Sequence, residues 1–328
     1  MTNSPPPNSL ALSIVIATRD RADQLGKTLD QLAAMSCEGL TWEIVVVDNG
    51  SRDGTPQILR DRLDKMPLVA LTEPEPGKNR ALNRALDVVR GKLLAFIDDD
   101  IMTQSDWARQ IVEAAARWPN DDIFGGPIEP VWPERTPAWI RDPDFQFASM
   151  AFGRYALPDG EGPVSKRPHG GNLIFRSTIF DAVRYDATIG PCGKSYVTGS
   201  ESELLRRLAK DGKRYIYLPS IPVGHVIRAD QVNMRWLFSR VFKFGRSHAR
   251  FQQREDVPHL FRVPRYQLRR LLMLALRLAG NCFRSSRTVF DVGTPLFQLA
   301  GYLHEYRRLD KQHDQSPQDH LLPPNHGF

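Results

Sequence analysis

Apolar runs of strand length recur at residues 12–17, 43–47, 68–71 and 92–97, and each ends in polar residues. Helical patterns fill the intervals. The first runs to Met35 and sets Leu25, Leu29 and Leu32 on one face. The second begins at Thr55-Pro56, a hydroxyl cap followed by proline at the first helical position, and the third spans 79–89. Strand, helix, strand, helix, strand predicts a βαβ series and so a mostly parallel sheet. Such sheets bind ligands at the carboxyl ends of their strands. The run at 92–97 ends there in Asp98-Asp99-Asp100. Three adjacent carboxylates repel one another unless a cation or solvent relieves them. Oxygen clusters of this kind suit Mg²⁺ or Mn²⁺; a solvated turn with an Asp helix cap accounts for the same residues.

Further along, a helix is expected over 105–118, a strand over 123–126 and an edge strand over 215–218. Between 127 and 168 periodicity fades into a long stretch rich in proline and aromatics (Trp132, Trp139, Phe145, Phe147, Phe152, Tyr155). Packing is the favoured role for most of these rings, with sugar stacking the alternative. Residues 234–250 and 266–278 mix leucine, phenylalanine and tryptophan with arginine. Basic amphipathic helices of this sort are membrane-surface or acidic-partner elements, or else pack on the body with their charges in solvent.

Composition narrows the class. The 328 residues carry a formal net charge of +6, and no nucleic-acid motif accompanies that excess, so nucleic acid is not an expected partner. Cys37, Cys192 and Cys282 lie far apart without metal spacing, which argues against a disulfide framework. No signal-peptide pattern and no apolar run of transmembrane length occurs, so the expected location is the cytoplasm, or peripheral on the inner face of a membrane. The first turn, Thr18-Arg19-Asp20-Arg21, has no glycine, which excludes a dinucleotide fingerprint, and no Walker A loop is present.

Four segments carry a resemblance. Thr18-Arg19-Asp20-Arg21 follows the first strand and Asp48-Asn49-Gly50-Ser51-Arg52-Asp53-Gly54-Thr55 the second. Gly77-Lys78-Asn79-Arg80-Ala81-Leu82-Asn83 opens the third helix, and Asp98-Asp99-Asp100 follows the fourth strand. In order and spacing the chain resembles the family-two inverting glycosyltransferases with a GT-A fold. The resemblance implies an α/β catalytic domain over 11–230, with a nucleotide-sugar-binding half at 11–126 and an acceptor half at 127–230. A basic helical extension over 231–309 and disordered tails at 1–10 and 310–328 complete the expected organisation.

The family pattern also implies roles. Asp48 would read the uracil ring of a UDP-sugar, although turn formation explains the same residue. Thr18 and Arg19 would flank the base or its phosphate, and Lys78 the donor phosphates; Asn83 matches a family asparagine that has a structural alternative. Asp98 and Asp100 would be the outer members of the D-x-D pattern, near ribose and metal, with Asp99 facing the sugar. Asn172, in His169-Gly170-Gly171-Asn172, would bond a sugar hydroxyl. Thr198-Gly199-Ser200-Glu201-Ser202-Glu203-Leu204 resembles the family's G-E-D-x-E-L segment, so Glu201 takes the position of the catalytic Asp. That substitution departs from the pattern, and a helix start capped by Ser200 is the alternative. His225 would add a ligand to Mn²⁺ or Mg²⁺. The acceptor would be a hydroxyl, lipid-linked glycans included, in polysaccharide or glycoconjugate synthesis. A sugar nucleotidyltransferase and a non-catalytic nucleotide-sugar-binding scaffold remain alternatives.

Overall fold

The computed structural model describes residues 9–315, apart from 146, 159, 193–194, 198 and 252–256, and gives the backbone alone at 191–192, 195–197, 251 and 311–315. The order opens with β1 (Leu10–Thr18), α1 (Ala22–Ala33), β2 (Trp42–Asp48), α2 (Thr55–Arg60), β3 (Leu68–Thr72), α3 (Lys78–Leu86) and β4 (Gly91–Ile97). Then come β5 (Ile101–Thr103), α4 (Trp107–Arg117), β6 (Ile123–Gly125), β7 (Ile128–Val131), α5 (Ala138–Arg141), α6 (Phe147–Phe152), β8 (Gly162–Val164) and β9 (Leu173–Arg176). β10 (Gly190–Cys192), β11 (Ser195–Val197), α7 (Ser200–Lys210), β12 (Tyr215–Tyr217) and β13 (Val223–Val226) follow. The chain closes with α8 (Met234–Phe251), β14 (His259–Leu260), β15 (Val263–Pro264), α9 (Arg265–Ala279) and α10 (Ser286–Gln315). Two compact units divide it, Met1–Val232 and Asn233–Phe328.

In the first unit the main sheet runs β3-β2-β1-β4-β9-β6-β12-β8. β1 to β4 are parallel, as the βαβ pattern predicts, while β9 is antiparallel to both β4 and β6. Side chains alternate along each central strand, and both faces are buried. Leu12, Ile14, Ile16, Ile44, Val46, Leu93 and Ala95 meet Leu25, Leu29 and Leu32 of α1 and Trp107 and Ile111 of α4. Val15, Val45, Val47, Leu94 and Phe96 meet Ala81, Leu82 and Ala85 of α3 and Leu204, Leu205 and Leu208 of α7. Burial on both faces is why these strands read as continuous apolar runs.

Three expectations need correction. The strand at 215–217 is not an edge, because β8 pairs with its outer side. The stretch 127–168 is not wholly irregular: it holds β7, α5, α6 and β8, elements of at most six residues and too short to print a period. Its rings pack, with Phe145, Phe152 and Tyr155 buried, Trp132 edge-on to Phe152 and Trp139 edge-on to Phe145. The tail expected from 310 is helical as far as Gln315. What was expected of residues 1–8 and 316–328 lies outside the described residues.

A small sheet, β5-β13-β7, stands directly after the acidic triplet. In the second unit, Glu305 on α10 is wholly buried and binds Arg246 at 2.8 Å, Arg250 at 2.7 Å and Arg308 at 2.7 Å. No helix among the described residues is long and apolar enough to cross a membrane.

Candidate active site

The parallel strands deliver their polar ends to one place. Thr18 at the end of β1 is in register with Asp48 at the end of β2, and Asp98 follows β4 beside them. Asn49 organises the next loop. Its Nδ2 donates to the carbonyls of Glu73 (2.9 Å) and Glu75 (2.7 Å), while its Oδ1 accepts from Gly77 N at 2.7 Å. That fixes the start of α3 and so places Lys78. Gly77 has φ +152°, a conformation that side chains rarely adopt.

Lys78 joins the two halves of the sequence. Its Nζ lies 2.8 Å from Asp98 Oδ1 and 2.9 Å from Glu201 Oε1 at the head of α7. Burial disfavours charge on both Lys78 and Glu201, yet the carboxylates hold the Lys78 pKa well above its ordinary value, and Lys78 holds that of Glu201 below its own. Gly170 makes room for this carboxylate. A Cβ there would collide with Glu201 Oε1 and lie 2.6 Å from its Cδ. Ser200 is not the helix cap; it is the first helical residue, buried, and Gly199 precedes it with φ +113°. Glu203 points elsewhere, to Arg207 at 2.6 Å.

The three acids have separate partners. Asp99 turns inward: Thr18 Oγ1 donates to its Oδ2 at 2.7 Å, and Arg21 lies 3.7 Å away. Burial pushes its pKa up to about 6, against the opposing pull of Arg21. The resemblance set Asp99 toward the sugar and Thr18 beside the base; here Asp99 is buried, and its carboxylate and the Thr18 hydroxyl are committed to each other. Asp100 Oδ2 binds Arg21 at 3.1 Å. Its Oδ1 is buried with no hydrogen bond and faces His225 Nε2 at 3.4 Å. Strand pairing arranges this, because β13 sets His225 opposite Ile101, and Val226 N donates to Asp100 O at 2.9 Å. His225 Nδ1 donates to Phe152 O at 2.6 Å, which leaves the lone pair of the neutral ring on Nε2, toward Asp100.

A proton on Nε2 or a divalent cation would satisfy both facing atoms. One carboxylate and one oriented imidazole fit a hard ion that takes its other ligands from phosphate and water, and the imidazole favours Mn²⁺ over Mg²⁺. Among the described residues no three His, Cys, Asp or Glu side chains converge on a metal-sized point. Asp98, expected with Asp100 and His225, is instead held by Lys78.

Other expected residues divide. Asp48 Oδ1 accepts from Ser51 N at 2.9 Å, the turn-forming bond, and no described group hydrogen-bonds its second oxygen. Arg19 is 38% exposed at its side chain and lies 3.7 Å from Asp20. Asn83 clamps Tyr185 through both main-chain groups, at 2.9 and 3.0 Å, and is structural. Asn172 is wholly buried: its Nδ2 donates to Ile221 O at 2.7 Å and Pro127 O at 3.2 Å, while its Oδ1 has no hydrogen-bond partner. Its side chain and that of Ile221 lie where a Cβ at Gly126 would fall.

Arg21, Asn49 and Tyr185 complete the site without having been singled out, and Gly170 stood only as part of the glycine-rich segment. The phenol of Tyr185 is buried without a hydrogen-bond partner, and burial together with the neighbouring Glu201 charge pushes its pKa well up. Arg21 was visible only as one arginine of two in a polar loop, and Asn49 only as half of an Asn-Gly turn. Nothing local marked Tyr185.

Comparison with known proteins bears on the family and the fold. Residues 13–184 match the family model described as glycosyl transferase family 2. A Haloferax volcanii glucosyl-dolichyl phosphate glucuronosyltransferase is 24% identical over 246 residues, 73% of this chain and 76% of its own. The Rhizobium meliloti succinoglycan biosynthesis protein ExoM is 24% identical over 250 residues, 75% of this chain and 76% of its own. In structure, a Pyrobaculum calidifontis mannosyltransferase in complex with GDP-Man and Mn²⁺ superposes with a TM-score of 0.53 at 18% identity, over 97% of this chain and 92% of that one. Staphylococcus aureus TarS 1–349 in complex with UDP-GlcNAc gives a TM-score of 0.51 at 16% identity, over 93% and 92%. The fold is therefore GT-A, and the choice among activities falls to glycosyl transfer: the chain belongs to glycosyl transferase family 2.

Proposed function

We propose that the protein is a metal-dependent, inverting glycosyltransferase, moving a sugar from a UDP-linked donor to a hydroxyl of a lipid-linked acceptor. The observation that carries this is the Lys78 bridge, which brings Asp98 of the donor-side motif and Glu201 of the acceptor-side motif to one ammonium. Glu201 is ionised and accepts the acceptor's proton. The acceptor oxygen attacks the anomeric carbon as its bond to the diphosphate breaks, and nucleoside diphosphate leaves on the opposite face. Configuration inverts in that single displacement, through an oxocarbenium-like state. An arriving diphosphate competes with Glu201 for Lys78, and a buried carboxylate released from its counter-ion gains basicity. Asp48 offers its second oxygen to a base N–H, and Arg19 is exposed beside the same strand end. Asp100 and His225 would hold Mn²⁺ or Mg²⁺, which supplies Lewis-acid neutralisation of the leaving diphosphate. Lipid-linked acceptors are supported by the relatives: one acts, by its name, on glucosyl-dolichyl phosphate, and another is a dolichyl-phosphate β-glucosyltransferase.

A thermal-shift screen of nucleotide sugars with and without Mn²⁺ identifies the donor, since a ligand that binds only the folded state raises its stability. With that donor, Glu201→Gln should lose transfer by about 10²–10⁴-fold while still binding nucleotide. Asp100→Ala should abolish the metal-dependent part of the thermal shift. Full transfer by either variant, or a product that retains anomeric configuration, refutes the assignment.

A further inference from the structure

Seven of the eleven large hydrophobic side chains exposed among the described residues fall between Leu260 and Phe283. On α9, Leu272, Met273 and Leu276 are 62%, 63% and 65% exposed, and Phe283 just beyond the helix is fully so. Spacings of three and four place positions 269, 272, 273 and 276 on one helical face. The opposite face is already used: Leu268, Leu271 and Leu274 pack against Ala249, Val263, Leu299, Tyr302, Leu303 and Tyr306. The exposed stripe is therefore surplus to the fold. Scattered exposed hydrophobes are ordinary, but a contiguous stripe marks an interaction surface.

Charge tells what covers it. Residues 257–290 contain seven arginines and no aspartate or glutamate. Arg269, Arg270, Arg277 and Arg284 are exposed around the stripe, and no described carboxylate lies within salt-bridge distance of them. A second copy docked face to face would bring arginine onto arginine, a like-charge cost that disfavours self-association. An anionic lipid surface satisfies both features, with the apolar side chains among acyl chains and the guanidiniums on headgroup phosphates. At fifteen residues α9 suits lying along such a surface rather than crossing it.

We propose that α9, with Phe283, docks the protein onto the surface of an anionic lipid bilayer. Docking needs none of the sugar chemistry, so it stands or falls separately from the transfer reaction.

The test is flotation of the full chain with vesicles of phosphatidylcholine alone and of phosphatidylcholine with phosphatidylglycerol. The intact protein should float with the anionic vesicles, less so as salt rises, and barely with the neutral ones. Each arginine contributes about fivefold to partitioning, so the triple variant Arg269→Gln, Arg270→Gln, Arg277→Gln should bind about a hundredfold more weakly. Met273→Glu with Leu276→Glu should abolish flotation at an unchanged melting temperature, because both side chains are already in water. No flotation by the intact chain, equal flotation with both vesicle types, or undiminished flotation by the double variant overturns the proposal. So does sedimentation showing a wild-type dimer that the double variant dissociates, since the stripe would then cover itself.

Discussion

Gly170→Ala tests the proposed base without replacing any charged group. Gly170 has an ordinary backbone conformation, so alanine brings no strain of its own. Its methyl group would lie 2.6 Å from Glu201 Cδ and 2.7 Å from Cγ. Ordinary van der Waals contact begins near 3.4 Å, so the carboxylate must retreat by about 1 Å, away from the position that Lys78 now fixes. A displacement of that size at reacting groups costs about 10²-fold, close to 3 kcal/mol in activation free energy. The loss should fall on kcat, with donor KM nearly unchanged. Steady-state transfer assays measure it, and a melting curve within a few degrees of wild type shows that the fold survives. The decisive comparison is the double variant. In a Glu201→Gln background that has already lost the base, Gly170→Ala should add little, because both changes act through one carboxylate. Wild-type kcat in Gly170→Ala, or full additivity in the double variant, would refute the argument that this carboxylate is where the proton goes.

Two further outcomes follow from the charge arrangement. Lys78→Met leaves Asp98 and Glu201 without their shared cation; the bridge lies between the surface and fully buried limits, so stability should fall by roughly 2 kcal/mol and transfer should be lost, whereas an unchanged melting temperature would show that the bridge is incidental. Glu305 should make the second unit sensitive to acid: burial alone would raise its pKa, but Arg308, Arg246 and Arg250 bring it from 4.5 down to about 2. A depressed carboxylate contributes its stability above the unfolded value and loses it as pH falls toward 2, here roughly 3 kcal/mol in all; a Glu305→Gln variant whose unfolding keeps the wild-type acid dependence would contradict this.

The core strands were legible because they are buried on both faces. Each is a continuous apolar run cut off by charge, and a run of that kind looks the same in sequence and in space. The order of strands and helices then gave the parallel half of the sheet by the handedness and adjacency of βαβ units. Of the short strands, β6 and β12 were legible but others were not. β5, β7, β8 and β13 have three or four residues each, fewer than any periodicity needs, and they exist because neighbouring backbone completes their hydrogen bonds. Missing them hid the reason that His225 reaches Asp100.

By itself, then, the chain determined that most of its candidate polar residues gather at the ends of adjacent strands, since strand order follows from local pattern. It did not determine who pairs with whom. Asp98, Asp99 and Asp100 are neighbours along the chain, yet they answer to Lys78, to Thr18 and to Arg21 with His225, partners that only the packing of α3, β1 and β13 supplies. Asn83 and Asn172 matched a binding pattern, yet their amide nitrogens donate to main-chain carbonyls of Tyr185, Ile221 and Pro127, contacts that only the fold supplies. Pairing at a site is set by distances across the fold, and residue order carries no direct record of those.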